Sequence, residues 1–136
     1  MGEERQRLLQ RVIDELDRNG IRDRSLRELA AALGTSHRML IHHFGSRDGL
    51  LVAVVDAVER GERERSVQPS GKLPDDFAEA FRAQWRHFSR SEFAGRERLF
   101  FECYARGLTG EEPFARMHPS SVTDWVASNS APLPAA

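Results

Sequence analysis

Residues 25–51 read SLRELAAALGTSHRMLIHHFGSRDGLL, and their spacing predicts two short helices, a tight turn and the start of a third. Ser25 and Glu28 stand as S-x-x-E, a capping box in which the serine oxygen accepts an orphan amide and the glutamate reaches back. Leu26, Leu29, Ala30 and Leu33 form one apolar stripe. Gly34 follows where a helix ends at least cost, because glycine enters the left-handed region without a Cβ penalty. Thr35 and Ser36 supply the next N-cap. Leu40 and Phe44 give the second helix one inward face, and Arg38 and His42 lie roughly 160° from Leu40 at about 100° per residue.

A helix of two turns buries little, so flanking helices must support it. It is displayed. Its outer face carries Arg and His, and no acid occurs between Glu28 and Asp48. Such a face suits the major groove of DNA, where phosphates reward cations and base edges reward arginine. Helix, glycine-containing turn and exposed helix is the helix-turn-helix arrangement.

The same residues resemble the N-terminal domain of the tetracycline-repressor (TetR) family. Its pattern runs Ser/Thr, three residues, Ile/Leu-Ala, three residues, Gly-Val-Ser, then Leu-Tyr-x-His-Phe, two residues, Lys, an acid, and a leucine pair. The likeness covers about residues 8 to 58. Ile41 stands where the family usually has tyrosine, and Arg47 where it usually has lysine. The resemblance implies a cytoplasmic transcriptional repressor acting as a homodimer on palindromic double-stranded DNA and released by a small effector. The DNA-facing set expected here is Ser25, Arg27, Ser36, His37, Arg38, Met39, Ile41, His42, His43 and Arg47. Arg38 and His42 would read bases, while Ser25 and Arg47 would hold phosphates on either side.

Around this unit the patterning is helical throughout, so an all-α fold is predicted. Leu8, Leu9, Val12, Ile13 and Leu16 form a stripe that ends at Gly20, with Ile21 as the contact that follows a glycine cap. After Phe44, Gly45 breaks the exposed helix and Ser46 caps a longer one, with Leu50, Leu51, Val54, Val55 and Val58 inward and a charged end at Glu59 to Arg65. SVQPSGKLP, from Ser66, is the composition break. The expected division is a DNA-binding head at 1–65, a linker at 66–74, and a partial helical effector and dimerisation domain at 75–136.

Asp75 and Asp76 open the next helix, with Phe77, Phe81, Trp85 and Phe88 on one face. A second, from about Glu92, carries Phe93, Leu99, Phe100, Phe101, Cys103, Tyr104 and Leu108, and Gly107 and Gly110 are expected to end it. That much aromatic surface needs a third partner. Phe81, Trp85, Phe100 and Tyr104 are the candidate pocket for an apolar or aromatic effector. One turn is expected at Pro113 to His118 and a short helix at Ser121 to Ala127, with a disordered end. The TetR family's C-terminal dimerisation helices have no counterpart in this pattern, so the aromatic faces are expected to be partly uncovered.

The formal net charge is −1, so DNA binding is argued from local patterning and not from overall basicity. The single cysteine, Cys103, cannot form an internal disulfide. No stretch reads as a leader or a membrane span. His37, His42 and His43 lack the i,i+4 spacing of helical metal ligands, so no metal or other cofactor is expected. Nor does the chain read as an enzyme, having no G-x-S-x-G, phosphate loop or paired cysteines. The rival reading is a helical protein–protein interaction module whose charged face meets an acidic partner and never DNA.

Overall fold

A computed structural model describes residues 2–66, 77–91, 94–117 and 123. Most of the expected linker, the Asp75–Asp76 helix start, Phe93 and the short helix and tail expected beyond His118 lie outside the described residues, as do the side chains of Phe77 and Phe88. The described residues form helices and contain no strand.

Helix α1 (Gly2–Asn19) buries Leu8, Leu9, Val12, Ile13 and Leu16, the stripe that its spacing predicts. It closes with the Gly20 N–H on Leu16 O at 2.8 Å, and Ile21 is buried just beyond. Helix α2 (Leu26–Ala32) starts with both halves of the capping box. The Glu28 N–H donates to Ser25 Oγ at 3.3 Å, and the Ser25 N–H donates to Glu28 Oε2 at 2.7 Å. The bond from the Ser25 backbone, then that from its hydroxyl, holds the Glu28 carboxyl below its ordinary range. At the other end the Thr35 N–H reaches Ala30 O at 3.0 Å and the Gly34 N–H reaches Ala31 O at 3.1 Å, a Schellman closure. That closure sets Gly34 at φ +61°, where a side chain would be strained.

Helix α3 (His37–Phe44) is capped by Ser36, whose Oγ accepts the Met39 N–H at 3.1 Å, and it buries Leu40 and Phe44. Ser46 caps helix α4 (Arg47–Ser66) through the Gly49 N–H at 3.0 Å. Leu50, Leu51, Ala53, Val54, Val55 and Val58 of α4 turn inward. At seven and eight residues, α2 and α3 are too short to stand alone. Their stability comes from packing, at about 1.5–3 kcal/mol for each large aliphatic side chain fully buried.

Helix α5 (Phe77–Phe88) follows, and helix α6 (Ala94–Leu108) lies against α1 and α4. A 3-10 turn at Phe114–Met117 closes over α6 and α4. Leu99, Cys103, Phe114 and Met117 thereby join the same core as Val12, Leu40 and Val54. Helix α6 and the 3-10 turn therefore complete the interior of the head.

The inward face of α6 is made of Leu99, Cys103 and Gly107, and the aromatic Phe101 is left 63 % exposed. Burial is decided by fit against α1 and α4, and the small residues allow the closer approach. One expectation is corrected in α6: Gly107 does not end the helix. It is buried within it, and a Cβ there would meet Phe114 O at 2.6 Å. Gly110 closes the helix instead, with the Glu111 N–H on Arg106 O at 3.2 Å.

Candidate nucleic-acid interface

With Leu40 and Phe44 anchored inside, the opposite side of α3 presents His37, Arg38 and His42 to solvent, and Ile41 is 38 % exposed. Met39 and His43 are half-buried at the edges of that face. Ser36 is exposed at the helix start; its oxygen serves the cap as an acceptor, which leaves its O–H to donate outward. Arg27 is exposed on α2. The rings of His42 and His43 meet edge to face at 4.9 Å, and His43 Nε2 is buried with no hydrogen-bond partner.

The negative ends of both helices of the pair are met by guanidinium groups of α1, which the sequence reading missed. Arg11 Nη2 donates to Leu33 O at the end of α2. Arg5 Nε donates to His43 O at 3.2 Å, and its guanidinium carbon stands 5.0 Å from the centre of the Phe44 ring. Cations favour helix C-termini, where the last carbonyls lack intrahelical partners. No local signal in α1 marks these two arginines among its other charged residues.

Arg47 and Ser25, the two residues expected to hold phosphates, each have partners within the chain. Arg47 Nε donates to Arg24 O at 2.8 Å and its Nη2 to Arg22 O at 3.4 Å, so the side chain braces the connector between α1 and α2. The Ser25 hydroxyl donates to Glu28 Oε2 at 2.8 Å and is committed to the cap. The connector is also held from the other side, where both Glu102 oxygens of α6 accept the Ile21 N–H at 3.1 Å. Arg24 closes the frame with a bond to Gly20 O at 2.9 Å and an ion pair to Glu15 at 2.9 Å, and that pairing holds the Glu15 carboxyl below its ordinary range. Arg96 ties α6 to α1 through Asp17 at 2.8 Å.

A braced pair of short helices with one exposed, acid-free face is the geometry of a helix-turn-helix reader. Residues 11–54 match the family model described as bacterial regulatory proteins, tetR family. The head over residues 11–54 is that of the tetR family. No curated protein and no solved structure matches the chain. The matched span runs from within α1 into the first half of α4 and takes in all of α2 and α3, so the chain carries the tetR-type head of a DNA-binding transcription regulator.

The four residues expected to form an effector pocket fall into two pairs. Phe81 and Trp85 stand 60 % and 65 % exposed on α5, beside Arg82 and Arg86. Phe100 and Tyr104 stack at 6.1 Å on α6, with Phe100 against the core. Burial pushes the Cys103 thiol up to about 12. Among the described residues no group of three His, Cys, Asp or Glu side chains could hold a metal ion, and no helix is long and apolar enough to cross a membrane.

Proposed function

We propose that this regulator is a repressor whose α3 enters the major groove, with Arg38 and His42 contacting bases. Ser36 and His37 would meet base edges or phosphate at the helix start, and Arg27, Met39, Ile41 and His43 would border the contact. The exposed, acid-free face of α3 opposite the buried Leu40 and Phe44 is the observation that carries the reading. Two chains would occupy half-sites about one helical turn apart on a palindromic operator. A small apolar or aromatic effector, met first by Phe81 and Trp85, would release them; the exposure of those rings supports that part.

A gel shift on the promoter regions of the protein's own gene and its neighbour, run with competitor DNA and a salt series, tests the reading. Retention that survives competitor and a footprint of two half-sites are expected, because specific sites bind about 10³–10⁷ times more tightly than random DNA. Salt-sensitive retention blind to sequence would favour a merely basic surface.

A further inference from the structure

We propose that Arg5 of α1 is a DNA-backbone contact, holding a phosphate beside the C-terminal end of α3. The proposal rests on the DNA-binding reading of that helix and adds a residue from outside the helix pair to it.

The end of α3 presents a difficulty for any anion. Its last carbonyls carry the negative pole of the helix, roughly half an elementary charge, and repel a phosphate that approaches. Arg5 stands at that pole: its Nε bonds His43 O at 3.2 Å and its guanidinium lies over the Phe44 ring at 5.0 Å. The sign of the local field is reversed by one side chain.

The remaining donors of Arg5 are available. The side chain is exposed, and only Nε is used in a hydrogen bond described for it. A guanidinium is a rigid fork, so fixing Nε on one partner aims the N–H groups of both Nη atoms at a second. The orientation is set before DNA arrives, which lowers the entropy lost on binding. In the same turn Glu3 is drawn off by Arg7 at 2.9 Å.

Several other donors near this end have partners within the chain or are buried. Arg47 bonds the connector carbonyls through Nε and Nη2, and His43 keeps Nε2 buried. Ile41 is exposed and has no donor on its side chain. His42 is also exposed on this turn and is assigned to bases, which leaves a backbone contact at this edge to Arg5.

The test compares the wild-type chain with Arg5→Gln and Arg5→Lys on a duplex that the wild type selects from a randomised library. Glutamine keeps a donor for His43 O but no charge; lysine keeps the charge. Arg5→Gln should bind every duplex about 3- to 10-fold more weakly, and its slope of log affinity against log salt should fall by about 0.9 per chain bound. Arg5→Lys should retain the wild-type slope. A wild-type slope in Arg5→Gln, with or without lost affinity, would reduce Arg5 to a helix cap and overturn the proposal. A wild-type chain that selects no duplex over competitor would overturn the DNA-binding reading itself, and the Arg5 contact with it.

Discussion

Glu102 accepts the Ile21 N–H across 81 residues of chain, at 3.1 Å from each carboxylate oxygen. Had α1 ended in a Schellman closure, as α2 does, that N–H would have bonded Leu16 O. Here Leu16 O takes the Gly20 N–H, and the carboxylate of α6 takes the next amide. The connector ahead of the helix-turn-helix is thus fixed by a residue far from it in sequence.

Glu102→Ala should leave the Ile21 amide without its partner and cost about 1–3 kcal/mol in denaturant unfolding. Exchange of the Ile21 amide with solvent should quicken more than that of Leu16. Glu102→Gln, which keeps one acceptor oxygen, should fall between the two. Unchanged exchange at Ile21 would show that the bond contributes nothing to the connector.

Gly107→Ala sets two effects against each other. Helix propensity favours alanine over glycine by about 1 kcal/mol. The new Cβ would meet Phe114 O at 2.6 Å, and backbone must shift to admit it. Overpacking costs about 1–3 kcal/mol, so the variant should be destabilised on balance. A raised melting temperature would mean that the 3-10 turn yields freely.

The head was legible in the sequence because its signals are local. The Ser25–Glu28 box, Gly34, Ser36 and the Leu40–Phe44 pair each act over three to five residues, and all stand in the structure as their spacing predicts. The contacts that set the function of the charged residues are not local. Arg5 to His43, Arg47 to Arg24 and Glu102 to Ile21 depend on how helices come together in space. For the same reason the spacing of Phe100, Phe101 and Tyr104 could not show that Leu99 and Cys103 would face the core, or that Phe114 would be wholly buried.

The buried Cys103 gives a pH dependence of known sign. Its thiol is raised to about 12 in the folded chain, against about 8.5 for an exposed cysteine. The unfolded chain therefore loses this proton first as pH rises. The stability that the neutral thiol confers is complete below about pH 8.5 and falls progressively above it, toward 12. Cys103→Ala should flatten the alkaline decline. At pH 8 a thiol reagent should label the native protein only at the rate of opening, and fast labelling without denaturant would place the thiol at the surface.

The central claim is that the outer face of α3 reads DNA, and Arg38→Ala tests it most directly. Arg38 is exposed, so the variant should melt with the wild type. On the duplex that the wild type prefers, its affinity should fall by about 1–3 kcal/mol, with preference relaxed at one base position and the salt slope little changed. Wild-type affinity and preference in a folded Arg38→Ala would contradict the account.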